Sequence, residues 1–225
     1  MSVGLRLALQ EQRAPELAAR VRRLLGPLSG TEVVLDVGTG TGALAFALAP
    51  LVGDVVGVDT RADYLEAAKE DAPANVRFVE GDATALPFEY GSFDVAACLR
   101  LLHHVHRPEL AVSELARVTR PGGRLFLADQ LGSVDPLRSL ELDRFERLRD
   151  PTHERLLPDA DIRGFLDAND LVLTSFEVSH ERVDLEERLA LAEVPEEQRQ
   201  RVRGLAPGAF YDIEIGWYVA RKPRP

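Results

Sequence analysis

Lysine is nearly missing from these 225 residues, cysteine, methionine and tryptophan occur once each, and no apolar run approaches bilayer-spanning length. Each scarcity excludes something. A single cysteine, Cys98, rules out an intramolecular disulfide framework and a cysteine-based zinc cluster, and it reads as a buried thiol in a reducing compartment. The only lysines are Lys69 and Lys222, so nearly every basic side chain is an arginine, a bias from which no mechanism follows. The formal charge is −10, with 37 acidic residues against 27 basic ones, which repels a phosphate backbone. No basic tract interleaved with aromatics offsets it, so nucleic acid is not an expected partner. Arg6, Gln10, Glu11 and Arg13 interrupt residues 1–14, so we expect no signal peptide, no stable membrane insertion and a cytoplasmic location. Internal repeats and low-complexity tracts are also lacking.

What is present begins with an apolar run, Val33-Val34-Leu35-Asp36-Val37, leading into Gly38-Thr39-Gly40-Thr41-Gly42-Ala43. About twenty residues later a second run, Val55-Val56-Gly57-Val58-Asp59, ends in a carboxylate. Glycine has no Cβ, so Gly38, Gly40 and Gly42 let the chain turn sharply out of a sheet and bring backbone amides against a ligand at the start of the next helix. Asp59 is then placed to accept both hydroxyls of a ribose. The pairing describes a site for an adenosine-containing cofactor. The loop also satisfies G-x-G-x-x-A, so by itself it leaves both a nicotinamide dinucleotide and S-adenosylmethionine open.

Strand and helix patterns alternate along the chain, the signature of a parallel sheet with crossover helices. Strands are predicted at 32–37, 54–59, 76–80, 93–99 and 124–128, with helices at 15–25, 42–51, 62–71 and 108–119. Beyond residue 129 the pattern becomes charge-rich, with helices at 135–149 and 158–169 around an Asp150-Pro151 break, strands at 171–179 and 209–221, and helices at 184–193 and 195–204. The length suits one domain over residues 1–225: an N-terminal helical segment at 1–30, a cofactor-binding core at 31–130, a small helical cap at 131–170, and C-terminal strands and helices at 171–225.

Six blocks follow in order: Leu35-Asp36-Val37-Gly38-Thr39-Gly40-Thr41-Gly42, Gly57-Val58-Asp59, Phe78-Val79-Glu80-Gly81-Asp82-Ala83, Leu86-Pro87-Phe88 with Ser92-Phe93-Asp94, Leu102-His103-His104, and Arg120-Pro121-Gly122-Gly123. On these blocks the chain resembles the class I S-adenosylmethionine-dependent methyltransferases, in the group that includes the ubiquinone and menaquinone biosynthesis methyltransferases. The resemblance implies an α/β, Rossmann-like, doubly wound seven-stranded sheet, mostly parallel, with an antiparallel last strand. It implies S-adenosyl-L-methionine as cofactor, S-adenosyl-L-homocysteine as product, and a small-molecule or lipid-like acceptor, in a monomer or homodimer. It further implies that Gly38, Thr39, Gly40 and Gly42 cradle the methionine part and that Asp36 attracts its ammonium. Asp59 and Thr60 would lie at the ribose, and Tyr64 against the adenine, where the family usually has methionine. Asp82 and the backbone of Ala83 would read the adenine edge, and Leu99 and Arg100 would lie near the activated methyl.

His103 and His104 are the candidate catalytic residues, because a neutral imidazole near pH 7 suits removal of a proton from an acceptor. The alternative is that they cap the loop or touch the cofactor. Arg107 stands where the family has an acidic residue, which leaves the histidines without an evident local carboxylate. With no carboxylate flanking His103, His104 and His106 closely, no metal is expected. Acceptor recognition is assigned to the cap together with the N-terminal helix, with Phe88, Phe145, Phe165, Phe210, Tyr211 and Trp217 as apolar candidates. Two other classes compete: a non-catalytic S-adenosylmethionine-binding regulator, and an NAD(P)-dependent oxidoreductase hinted at by Tyr218-Val219-Ala220-Arg221-Lys222. That pair falls in a predicted strand, whereas dehydrogenase chemistry needs it on one helix face.

Overall fold

A computed structural model describes residues 3–224; residues 1, 2 and 225, at the ends of the expected domain, lie outside the described residues. The order is α1 (Val3–Leu25), β1 (Val33–Val37), α2 (Ala43–Leu48), β2 (Asp54–Asp59), α3 (Ala62–Glu70), β3 (Val76–Glu80), β4 (Phe93–Leu99), α4 (Pro108–Val118), β5 (Thr119–Gln130), α5 (Pro136–Arg149), α6 (Asp159–Asp167), β6 (Val172–Asp184), α7 (Leu185–Leu191), α8 (Glu196–Leu205) and β7 (Phe210–Arg221). Short 3₁₀ turns follow α2 at Ala49–Leu51 and β4 at Leu102–His104. The seven strands form one sheet in the order β3-β2-β1-β4-β5-β7-β6. Parallel pairing runs from β3 to β5, and β7 is antiparallel to both β5 and β6. This is the expected doubly wound sheet with an antiparallel last strand.

The central strands read as nearly continuous apolar runs because both of their faces are covered. Val34, Val55, Val95, Phe126 and Trp217 pack on one face against Val21 of α1, Leu44 and Leu48 of α2, Phe145 of α5 and Leu189 of α7. Leu35, Val56, Cys98, Leu127 and Tyr218 pack on the other against Val112 and Leu115 of α4 and Ile162 and Leu166 of α6. Strand order reverses between β1 and β4, and that switch point opens a crevice beyond their carboxyl ends. Among the described residues no helix is long and apolar enough to cross a membrane.

Boundaries shift in several elements, β5 among them, which starts at Thr119 rather than at residue 124, and the larger differences have tertiary reasons. Helix α1 starts twelve residues earlier than the expected start at Pro15, which lies inside it. Residues 11–16 are exposed, so the carbonyl that loses its partner at the proline faces solvent. Strand β6 runs on to Asp184 through the charged His180-Glu181-Arg182 because β7 pairs with it along its whole length. Within residues 131–170, α5 and α6 pack on opposite faces of the sheet.

One polar cluster is sealed inside this frame. Glu146 is 2% exposed and accepts from Arg149 at 2.7 and 2.9 Å and from Arg188 at 3.0 and 3.2 Å. Burial alone pushes its carboxyl up, but the two guanidiniums outweigh that and bring its pKa to about 2.

Candidate cofactor and acceptor site

A cavity of about 980 Å³ occupies the crevice at the carboxyl ends of β1, β2 and β4. Every cofactor or catalytic residue singled out from the sequence lines it except Gly42 and His103. Gly42, at φ 89°, serves packing instead: a Cβ there would meet the Phe46 ring at 2.9 Å. Gly38, at φ 71°, is where the chain leaves β1, and a Cβ would strike the Leu101 side chain at 2.6 Å.

Four amides of the glycine loop are engaged within the protein. The N–H groups of Gly38 and Thr39 both donate to Val58 O, Gly40 N–H donates to Asp59 Oδ2 at 2.8 Å, and Gly42 N–H donates to Thr39 O. At these positions the loop offers a surface, its donors already used in joining β1 to β2 and in closing its own turn.

A buried acid stands at this wall. Asp36 is 1% exposed, and its Oδ2 accepts from Thr39 Oγ1 at 2.7 Å and from Ala45 N–H at 3.0 Å. Its Oδ1 is buried without a partner. Burial pushes its pKa up to about 7, the two hydrogen bonds oppose the rise, and the charge of Asp59 adds to it. A buried, unpartnered carboxylate oxygen on a cavity wall is complementary to a cationic donor. Across from it, Asp59 is fixed by Gly40 N–H and by Arg61 N–H at 2.9 Å. Tyr64 is buried beneath the Arg61 guanidinium, 4.0 Å above its ring, and its hydroxyl also lacks a hydrogen-bond partner. Asp82 closes a local turn, with Oδ1 accepting from Thr84 N–H and Oγ1 at 2.7 and 2.8 Å.

The two histidines separate. His103 turns away from the cavity, its Nδ1 and its backbone N–H both held by the Asp129 carboxylate at the end of β5. No local carboxylate was expected beside the histidines, and this one is not local: it comes from a strand end 26 residues away in sequence. His104 lines the cavity, its ring centroid 4.1 Å from that of His103, and its Nδ1 faces Thr152 O and Oγ1 at 3.2 and 3.0 Å. Burial, reinforced by His103, lowers its pKa to about 4.

The far wall comes mostly from elements the sequence reading undervalued. From α1 come Arg6, Leu9, Gln10, Arg13, Leu17 and Arg20; from β6 come His180 and Glu181; and Trp217 comes from β7. Gln10 clamps α1 to the glycine loop, accepting from Thr41 Oγ1 at 2.6 Å and donating to Thr41 O at 3.2 Å. Glu181 pairs with Arg100 and lies 3.6 Å from Arg13. Arg20 stacks over Trp217 at 4.6 Å. Of residues 131–170 only Thr152 reaches the wall. Phe145 packs edge-on against Tyr211, Phe88 against Phe93, and Phe165 against the core, so none of these three lines the cavity. Phe210 and Tyr211 lie outside the cavity as well, Phe210 being 57% exposed. Tyr218 and Lys222 are structural: the phenol donates to Asp159 at 2.8 Å, and the ammonium to Ala116 O and Thr119 O.

Residues 35–127 match a protein family described as a methyltransferase domain. The uncharacterized methyltransferase YcgJ of Bacillus subtilis is 37% identical over 142 residues, covering 61% of this chain and 56% of that protein. A demethylmenaquinone methyltransferase of Renibacterium salmoninarum is 40% identical over 113 residues, covering 49% of this chain and 47% of that one. The matched stretch thus spans about half the length of these relatives. The crystal structure of YcgJ superposes with a TM-score of 0.85 at 24% identity over 93% of this chain and 98% of its own, a likeness of fold.

Proposed function

We propose that this chain, whose residues 35–127 match a methyltransferase domain family, transfers a methyl group from S-adenosyl-L-methionine to a small-molecule or lipid-like acceptor, leaving S-adenosyl-L-homocysteine. The observation that carries this reading is the unpartnered, buried Oδ1 of Asp36 on the cavity wall, which suits an amino-acid ammonium and has no use at a pyrophosphate. Asp59 and Thr60 then take the ribose hydroxyls, Tyr64 packs on the adenine, and Asp82 and Ala83 face its polar edge. Gly38, Thr39 and Gly40 shape the floor, and Gly42 sets the course of the loop. Leu99 and Arg100 border the methyl position, with His104 on the same wall as the candidate base and His103 behind it, held by Asp129. The cofactor when bound supplies a methyl group already activated by a positive sulfur. The protein's part is to align an acceptor in line with it, exclude water and take up any proton released.

The acceptor's place is the part of the cavity closed by α1. Leu17, Leu191 and Trp217 supply apolar wall there, and Arg13, Arg100 and Glu181 supply charge. An apolar body with a polar edge suits this lining, which favours a small molecule or the head of a lipid. Titration calorimetry with S-adenosylmethionine, S-adenosylhomocysteine and NAD tests the reading without the acceptor. We expect micromolar binding of the sulfonium cofactor and its product, roughly −8 kcal/mol, and none for NAD. Binding of NAD alone overturns it; tight binding of the pair with no turnover across a broad acceptor screen moves the chain to the regulator class.

A further inference from the structure

Resting on the methyl-transfer reading, we propose that Asp150 and Thr152 position His104 to receive the acceptor's proton. The acceptor is then one that sheds a proton on methylation, such as a hydroxyl, a thiol, or a phenolic or enolisable carbon, and not a tertiary amine or a thioether. The argument starts at the turn after α5. Asp150 is buried, and its Oδ1 accepts from Thr152 N–H at 3.0 Å and from Thr152 Oγ1 at 2.7 Å. Thr152 thus gives its single hydroxyl proton to a carboxylate, and both of its oxygens, Oγ1 and the backbone carbonyl, face His104 Nδ1 as acceptors. Neither can donate to that nitrogen, so Nδ1 carries the proton and Nε2 carries the lone pair.

His104 and Thr152 both line the cavity that also holds the residues assigned to the acceptor. The groups facing His104 are His103, Asp129, Asp150 and Thr152. His103 is held by Asp129 outside the wall; of the imidazoles that line the cavity, His104, His106 and His180, only His104 has its Nδ1 held by Thr152. Burial and His103 keep it uncharged at neutral pH. In the transfer the acceptor atom bonds to the methyl carbon as the carbon–sulfur bond breaks, its electron pair passing to sulfur. The acceptor's proton goes to His104 Nε2 and from there to solvent. The Asp150 carboxylate meanwhile holds Thr152, and through it the ring, in one orientation. Burial raises the pKa of Asp150, but the Thr152 hydrogen bonds with His104 and Arg149 nearby bring it below the usual carboxylate range, so it stays charged.

The test is long-range ¹H–¹⁵N spectroscopy of the full chain labelled at histidine, near pH 7, alongside calorimetric binding of S-adenosylhomocysteine. We expect His104 as the Nδ1–H tautomer. Thr152→Val should shift the ratio toward Nε2–H by about fivefold, the weight of one neutral hydrogen bond. Thr152→Ser should restore it, with S-adenosylhomocysteine affinity the same throughout. A wild-type Nε2–H tautomer, or a ratio indifferent to Thr152→Val, overturns the arrangement while normal S-adenosylhomocysteine binding leaves the methyl-transfer reading standing. Absence of that binding overturns both. In a product screen by mass spectrometry over phenols, thiols, tertiary amines and thioethers, methylation of proton-shedding acceptors supports the proposal, and turnover confined to the last two classes overturns it.

Discussion

Replacing Asp36 with asparagine should stabilise the ligand-free protein and at the same time weaken cofactor binding. The carboxyl is fully buried and its pKa rises from 3.8 to about 7 on folding. A raised folded pKa means that the folded state binds more protons than the unfolded chain between those values. The stability this group contributes is fully present below pH 3.8 and is lost as pH rises through about 7. A rise of this size corresponds to about 4 kcal/mol, of which about 3 kcal/mol is lost between pH 5 and pH 8. Asparagine keeps an oxygen for Thr39 Oγ1 and Ala45 N–H and carries no charge, so its stability should lack this slope. The assay is urea unfolding of both proteins at pH 5 and pH 8, followed by circular dichroism. The variant's advantage should grow by about 3 kcal/mol from the lower pH to the higher. With S-adenosylhomocysteine, the wild type should bind more tightly as pH rises to about 7, while the variant binds about 10 to 100-fold more weakly with no such dependence, the loss of one charged hydrogen bond. A stability difference equal at both pH values would refute the reasoning, because it would mean that Asp36 is not a buried acid held near neutrality.

Other perturbations separate binding from folding. Asp59→Ala should weaken S-adenosylhomocysteine at least about 100-fold by calorimetry, and because Gly40 and Arg61 lose their acceptor it should also destabilise the fold by about 2 kcal/mol. Arg188→Leu leaves Glu146 with Arg149 and the longer Gln130 amide contact, which should cost about 3 kcal/mol in urea unfolding at pH 7 while sparing cofactor affinity. In the wild type, the stability due to Glu146 is present above pH 4.5 and should fade as pH drops toward about 2, visible as acid unfolding that Arg188→Leu moves to higher pH. Gln10→Ala removes both hydrogen bonds between α1 and the glycine loop and should speed stopped-flow release of S-adenosylhomocysteine about five- to tenfold; an unchanged rate would show that α1 does not retain the ligand.

Local chemistry made the cofactor half of the molecule readable. Strands β2, β3 and β4 lie where the apolar runs predicted them, because a strand buried on both faces leaves a continuous apolar trace. Asp36, Asp59, Asp82 and the glycine loop stand at strand ends, where chain order alone places them around one crevice. The other half was not legible, because its residues meet only across long separations. Glu181 extends a strand that composition would end at residue 179, and it enters the cavity because β7 continues to pair with β6. Gln10 and Arg13 precede a proline that reads locally as a helix start, yet they sit within a helix whose exposed turn tolerates it. Asp129 reaches His103 across 26 residues, and Thr152 reaches His104 across 48.

The sequence by itself therefore determined the alternation of strands and helices and the acidic residues at the strand ends, since these follow from side-chain periodicity and from backbone turns a few residues long, while the seven-stranded sheet came from the family resemblance. The tertiary structure alone decided which histidine faces the cavity, that Asp129 holds one ring and Thr152 the other, and that residues of α1 line the cavity while only Thr152 does so from residues 131–170. Those outcomes depend on hydrogen bonds and packing between distant segments, and no local pattern of residues encodes them.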